Sequence, residues 1–156
     1  EFSMQKNRIH LVDLVGKNGL TILMQYSVPT KESELFAFVK ENFIKDLAMS
    51  EVKYSRYDCY SLVCNMDIEL KCRRAHYDDL LIEMSKHDAL FERSIKFGTR
   101  PVYINSTPLG VWAFYISSIP IKWEERDLPR NTDFGNQEKI SKMIGYLNIN
   151  DGTKLM

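Results

Sequence analysis

Residues 58–73, DCYSLVCNMDIELKCR, alternate between apolar and polar side chains along the whole segment. Side chains two residues apart share one face of a β-strand, so this period predicts a strand with one apolar face and one wet face. Asn65-Met66-Asp67 offers an alternative, a turn between two strands. The alternation keeps its phase across that point, which favours one long strand, bulged if necessary. The apolar face would carry the even-numbered residues Tyr60, Leu62, Cys64, Met66, Ile68, Leu70 and Cys72.

The remaining segments supply helices and hairpins around this strand. Alternation about an Asn-Gly turn predicts a hairpin at 8–28, and apolar residues at three- and four-residue steps predict helices at 30–49 and 75–98. A second hairpin is predicted at 101–117, and a narrow apolar stripe predicts a short helix at 137–147. The order β-β-α-β-α-β-β-α is typical of a single α+β domain with a mainly antiparallel sheet covered by helices.

The C-terminal part differs in composition from the rest of the chain. Residues 120–136 are rich in charge, proline and turn formers, which predicts a loop or tether. We expect an α+β core domain at 4–119, followed at 120–156 by a loop and short helix packed on the core or tethered to it. Residues 1–3 precede Met4 and are interpreted as a non-native extension.

Charge and cysteine content restrict the classes of function. Twenty-one basic residues balance 21 acidic ones, so no global field attracts nucleic acid or an anionic membrane. This balance disfavours nucleic acid as a partner and slightly favours a homodimer. No apolar run reaches the length of a membrane span and no leader pattern is visible, which predicts a soluble, cytoplasmic protein. Three cysteines without CxxC spacing indicate a reducing compartment and no zinc site.

Motifs for cofactor chemistry are absent from the sequence. Neither GxGxxG nor GxxxxGK[ST] occurs, and HExxH, GxSxG and the EF-hand loop are missing as well. We therefore expect no cofactor, no metal and no recognisable catalytic set, and no stretch supports assignment to a family. Whether the chain is an enzyme stays open, with the absence of motifs favouring a non-enzyme.

Charged residues at two-residue intervals form a ladder on the polar face of the long strand. Asp67, Glu69, Lys71 and Arg73 could bind a polar ligand or partner there, although a solvated sheet face is the simpler interpretation. Arg73 and its neighbour Arg74 would add a local basic area suited to an acidic partner.

Three further residues are candidates for ligand or partner binding. Trp123 lies in a charged segment, where an exposed ring would need a partner surface, a ligand or an intrachain pocket. Trp112 fits core packing first and a ligand site second. His87 lies beside the apolar stripe of its helix, as a boundary histidine does, and is the one catalytic candidate on a helix.

Two hypotheses follow. The first is a non-enzymatic protein-interaction or regulatory module that holds a protein partner with an exposed sheet face and the C-terminal segment. The alternative is a small-molecule sensor, or an enzyme without a motif, whose pocket lies between sheet and helices near Tyr26, Met66, Trp112 and His87.

Overall fold

The fold was analysed in a computed structural model that describes residues 27–52, 55, 57–130 and 138–156. The hairpin predicted at 8–28 lies outside the described residues apart from its last two positions. The described part of the chain contains two sheets, two α-helices and two short 3-10 helices. The α-helices are α1 (Glu32–Asn42) and α2 (Met84–Phe97).

Residues 58–73 form a hairpin, so the prediction of one continuous strand is wrong. Strand β2 (Cys59–Ser61) pairs antiparallel with the longer β3 (Met66–Cys72), after a turn that ends at Asn65. Asn65 has φ 54°, a left-handed conformation that asparagine tolerates better than most residues. The four-residue turn places Cys59 opposite Ile68, so the odd positions of β2 share a face with the even positions of β3.

The main sheet has six strands in the order β1-β2-β3-β5-β6-β9, and only the β3–β5 pair is parallel. The connection from β3 to β5 (Arg100–Thr107) passes through β4 (Asp79–Glu83) and α2, as a parallel pair requires a long crossover. The other main-sheet strands are β1 (Ala48–Met49), β5 (Arg100–Thr107), β6 (Gly110–Tyr115) and β9 (Thr153–Lys154).

A second, antiparallel sheet has the order β4-β8-β7, with strands β4 (Asp79–Glu83), β7 (Glu124–Pro129) and β8 (Lys139–Asn148). Its strands occupy positions predicted as the start of the second helix, as a loop and as the C-terminal helix, and those three predictions are wrong. Leu80 of β4 lies opposite Leu147 of β8, and both side chains are buried. Pairing with a partner strand that is distant in sequence overrides the helical period there. The second helix does end where predicted, because Gly98 adopts φ 67° at its C-terminus.

Helices cover both faces of the main sheet, whereas the sequence predicted one wet face. The even-numbered residues of β3 pack with Leu35, Phe38 and Val39 of α1 in one core cluster. On the opposite face, Asp67 is 2% exposed and Glu69 is 6% exposed beneath α2. A second core cluster on that face combines Leu90 of α2 with residues of β4, β5, β6 and β8.

The predicted fold class, a single α+β domain with a mainly antiparallel sheet covered by helices, is confirmed. The division at residue 119 stays a prediction, and the described C-terminal strands pair with both sheets. Neither described helix combines the length and apolar character that crossing a bilayer requires. Cys59 was predicted to face away from Cys64 and Cys72, but all three contribute to the core cluster beneath α1.

Candidate active site

The β2–β3 hairpin brings Asp58 beside the middle of β3. The Asp58 N–H donates to the carbonyl of Ile68 at 3.0 Å, and its carboxylate accepts a hydrogen bond from the Leu70 N–H at 2.7 Å. These two bonds hold the carboxylate against the backbone on either side of Glu69. Residues eleven apart in sequence are therefore neighbours in the site.

Glu69 is a buried carboxylate with an incomplete set of partners. Its Oε1 accepts from the ammonium of Lys86 on α2 at 2.7 Å, while its Oε2 is buried and has no hydrogen-bond partner. Burial, and after it the nearby negative charge of Asp58, raise the pKa of Glu69 to about 7. A buried oxygen without a partner costs free energy, which indicates a group kept for something other than stability.

Lys71 and Asn105 extend this polar face along the strands. Lys71 is half-buried and, two residues after Glu69, leaves β3 on the same face. Asn105 is its register neighbour on β5, and the buried Asn105 Nδ2 also has no partner. Two of the three unpaired buried side-chain atoms among the described residues thus lie on the face under α2.

Further charges surround the carboxylate pair, the name used here for Asp58 and Glu69. The negative charge of Glu32, at the start of α1, also raises the pKa of Glu69. Lys86 has a raised pKa: burial lowers it, but the hydrogen bond and charge of Glu69 outweigh that effect. Two carboxylates and a partly exposed ammonium, Lys86, therefore lie within electrostatic reach of one another.

The carboxylate pair fits a hard divalent cation. Among the described residues, no three His, Cys, Asp or Glu side chains come together as a metal group. Mg²⁺ does not need three, because it keeps several waters and binds through one or two carboxylates plus substrate phosphates. Glu69 Oε2 is the kind of unpaired oxygen that such an ion would use. The residues present therefore suit Mg²⁺ or Mn²⁺ better than a closed zinc site.

The residues singled out from the sequence are divided between several places. Arg73 is tied down inside the protein, since its Nε donates to Asn105 Oδ1 at 2.8 Å and its Nη2 donates to the carbonyl of Leu81. Arg74 is exposed at the end of the same segment. Arg73 thus holds Asn105 on the polar face, and a binding role for either arginine stays a prediction.

The structure brings Trp123 and His87 together. Their rings meet edge to face with centroids 5.0 Å apart, and His87 also stacks on Phe91 at 5.7 Å. Trp123 packs against the core cluster beneath α2, so an intrachain contact accounts for this ring in a charged segment. Binding roles for Trp123 and His87 stay predictions.

The pocket predicted near Met66, Trp112 and His87 is not assembled. Met66 lies in the core cluster on the α1 face and Trp112 in the cluster on the α2 face, so the sheet separates them. Tyr26, the fourth residue of that set, lies outside the described residues. Trp112 is 6% exposed, as core packing predicts, and a ligand role for it stays a prediction.

Cys59 and Cys72 do not add a nucleophile to the site. Burial raises the pKa of the Cys59 thiol far above its ordinary value and that of Cys72 to about 11. A thiolate is the reactive form, so both side chains are inert near neutral pH.

The sequence interpretation named Glu69 and Lys71 as part of a charged ladder but missed Asp58 as their partner. The signal was the alternative turn at Asn65, which folds residue 58 back onto residue 69. A single continuous strand would place Asp58 and Glu69 far apart. A solvent-exposed polar face would leave Glu69 solvated.

Comparisons with known proteins identify the fold. No known protein family and no curated protein matches the chain. A solved structure does match: that of Hjc, a Holliday junction resolvase from the hyperthermophilic archaeon Archaeoglobus fulgidus, with a TM-score of 0.50. The two sequences are 13% identical, and the match covers 80% of this chain and 96% of the resolvase. At this identity the likeness is one of fold.

This finding corrects the expected function and partners. The first hypothesis was a non-enzymatic protein-interaction or regulatory module that uses an exposed sheet face, and it is wrong. The fold is similar to that of a resolvase, and the sheet face is covered by a helix over buried carboxylates. The expectation that nucleic acid is disfavoured as a partner is wrong for the same reason, because zero net charge constrains the global field and not a local site.

Proposed function

We propose that this chain is a metal-dependent nuclease that hydrolyses phosphodiester bonds in DNA. The observation that carries the proposal is the carboxylate pair, with its buried and unpaired Glu69 Oε2, on the fold of a Holliday junction resolvase. The site supports hydrolysis of a phosphate ester, and the fold likeness supports DNA as the substrate. Branched DNA is the first substrate to examine.

Asp58 and Glu69 would hold the divalent cation. The bound ion supplies a Lewis acid for the phosphoryl oxygen and lowers the pKa of a bound water. The hydrogen bond from the Leu70 N–H fixes the carboxylate of Asp58, so its position does not depend on the ion. Glu69 contributes the oxygen that no protein donor uses.

Glu69 must lose its proton before it can bind a cation. With a pKa raised to about 7, an appreciable fraction of Glu69 is protonated near neutral pH, so cation binding releases protons. Lys86 opposes this effect, since its hydrogen bond and charge favour the ionised carboxylate. We expect cleavage to rise with pH through this range.

Lys71 is assigned to the substrate phosphate. Its ammonium leaves the same face of β3 as Glu69 and is only half-buried, so it remains open to a bound ligand. A fixed positive charge near a phosphate that gains negative charge stabilises the transition state of hydrolysis. The role is one of charge stabilisation, and Lys86 stays bound to Glu69.

The test is cleavage of end-labelled DNA by the purified full chain with Mg²⁺ or Mn²⁺. A four-way junction, a linear duplex and a single strand are compared at one stated salt concentration. We expect metal-dependent cleavage, and at least a roughly hundredfold loss for Asp58→Asn, Glu69→Gln and Lys71→Met, as for loss of one transition-state donor.

The matched control is Asp127→Asn, which removes an exposed carboxylate from β7 of the second sheet. It should cleave like the wild type. The proposal is refuted if the wild type cuts none of the three DNAs with either ion, or if the three site variants cut as fast as Asp127→Asn.

A further inference from the structure

An aromatic groove adjoins the candidate active site on the α2 side. It has a volume of about 450 Å³ and lies between the start of the β2–β3 hairpin and the C-terminal half of α2. Its lining includes Tyr57, Glu92, Arg93, Lys96 and Phe97.

Arg93 lines the groove and contacts both of its rings. Its guanidinium lies 4.1 Å from the centre of the Tyr57 ring and 4.8 Å from that of Phe97. The same guanidinium makes two hydrogen bonds to the buried Asp67, at 3.0 and 3.3 Å. An arginine held by a buried carboxylate gives the aromatic surface a fixed position.

Phe97 is a large aromatic residue that the core leaves largely exposed. It lies in the last turn of α2 with 56% of its surface exposed, beside the exposed Lys96, whose ammonium is 5.2 Å from the ring centre. An exposed aromatic ring next to a cation is the arrangement on which unpaired bases stack while the cation binds the backbone. Glu92 is the acidic residue of the lining and lies one helical turn before Lys96.

The groove is close to the carboxylate pair along both strands. Tyr57 directly precedes Asp58 in the chain. Asp67, the partner of Arg93, is two residues before Glu69 on the same face of β3, a spacing of roughly 7 Å along a strand. A DNA strand cut at the carboxylate pair would therefore pass the aromatic groove.

We infer that the aromatic groove binds an unpaired nucleotide of the DNA substrate, next to the bond that is cut. The inference rests on the proposed nuclease function. A base stacks on the Tyr57 and Phe97 surface and the neighbouring phosphate meets Lys96. Bases within a continuous duplex are already stacked on one another, so the groove selects DNA that has unpaired bases at a branch or end.

The test measures DNA binding by fluorescence anisotropy in the Glu69→Gln background, which keeps the DNA intact. Two ligands are compared, a fully paired duplex and the same duplex with a single-stranded arm. Phe97→Ala should weaken binding of the armed duplex about tenfold, in line with base stacking on an aromatic ring, and leave binding of the paired duplex within about twofold. Phe97→Trp should restore the preference.

Two controls separate the groove from general effects. Phe91→Ala removes another exposed ring of the same helix, one that stacks on His87 outside the groove, and should change neither affinity. Lys96→Gln should reduce the salt dependence of armed-duplex binding by about one phosphate contact, whereas Lys139→Gln on β8 should not.

The outcomes distinguish this inference from the proposed function. If the wild type cleaves DNA but Phe97→Ala binds both ligands as before, the groove inference is overturned and the nuclease proposal stands. If Phe97→Ala weakens both ligands equally, the selective role is overturned. If the wild type neither binds nor cleaves DNA, both proposals fail.

Discussion

Glu69 shows how a buried carboxylate affects stability at the scale of one residue. Its pKa is about 7 in the folded protein against an ordinary value of 4.5, so between these values the folded state binds more protons than the unfolded state. Stability therefore falls as pH rises through this window. Above about pH 7, the ionised and buried Glu69 destabilises the folded state.

Replacing Glu69 should make the protein more stable. Glu69→Gln removes the buried charge and can still accept a hydrogen bond from Lys86. Well above pH 7, we expect its melting temperature to exceed that of the wild type by roughly 2–8 °C, which corresponds to about 1–2 kcal/mol for a chain of this length. The difference in melting temperature should decrease toward pH 4.5, where the side chain at position 69 is neutral in both the folded wild type and the variant. A thermal melt series over pH measures this, and a destabilised variant above pH 7 would contradict it.

Lys86 lowers the pKa of Glu69, so under the proposed function it should set the pH range of cleavage. Its hydrogen bond and its charge both lower the pKa of Glu69, against the larger effect of burial. Lys86→Gln should therefore raise that pKa and move the acidic limb of the pH profile of cleavage to higher pH, with little loss of rate on the alkaline side. Lys122→Gln, an exposed lysine before β7, is the control and should leave the profile in place. A profile unchanged by Lys86→Gln would contradict the assignment.

At the scale of elements, the turn between β2 and β3 decides whether the site exists. Asn65 adopts φ 54°, and its side chain donates to the carbonyl of Gly98 at 2.7 Å. Its own carbonyl accepts from the Arg100 N–H at 2.8 Å, which connects the turn to the start of β5.

Substitutions at Asn65 should separate backbone strain from the lost side-chain bond. Both Asn65→Gly and Asn65→Val remove the bond to Gly98, but only valine is strained at a positive φ. We expect Asn65→Val to be less stable than Asn65→Gly by about 1–2 kcal/mol in urea unfolding, and to lose more activity because the hairpin positions Asp58. Equal stability of the two variants would contradict the turn geometry.

Residues 121–123 pass so close to β8 that position 145 requires a glycine. A Cβ added at Gly145 would lie 2.2 Å from Ile121 Cγ2 and 3.1 Å from Trp123 Cε3. Gly145→Ala should therefore destabilise the protein by about 1–3 kcal/mol through overpacking.

The double variant Ile121→Ala/Gly145→Ala tests this explanation. It should be more stable than the sum of the two single changes, because Ile121→Ala removes the side chain that the new methyl would meet. Urea unfolding of the four proteins gives the coupling, and strict additivity would exclude a steric cause.

Sequence periodicity predicted the elements that are specified by residues within the segment itself. It missed the strands that form by pairing with a segment distant in sequence. The fold class, the existence of α1 and the end of α2 at Gly98 followed from spacing and capping. A helix was predicted at 137–147 because Ile140, Met143, Ile144 and Leu147 fit its spacing, yet Lys139–Asn148 form β8. The difference comes from pairing with β4, a contact across some sixty residues that no local pattern contains.

At the scale of the whole molecule, α2 covers the charged face of β3 and buries the carboxylates of the candidate site. The ladder on β3 was visible in the sequence, but its burial was not, since charged residues are rarely buried without partners. Those partners are Lys86 and Arg93 on α2, which neutralise Glu69 and Asp67. Asp58 joined the site only through the hairpin. Burial by α2 and pairing across the β2–β3 turn are both tertiary contacts. Together they gather charged side chains on one face of a protein whose net charge is zero.

The central claim is that Asp58 and Glu69 bind one divalent cation together. The most direct measurement is an anomalous difference map from crystals of the full chain soaked in Mn²⁺, with Glu69→Gln crystals treated in the same way. We expect a peak in the wild type within coordination distance, about 2.0–2.2 Å, of Glu69 Oε2 and an Asp58 carboxylate oxygen, and its loss in the variant. A peak that persists in Glu69→Gln, or a wild-type map with no peak between these carboxylates, would contradict it.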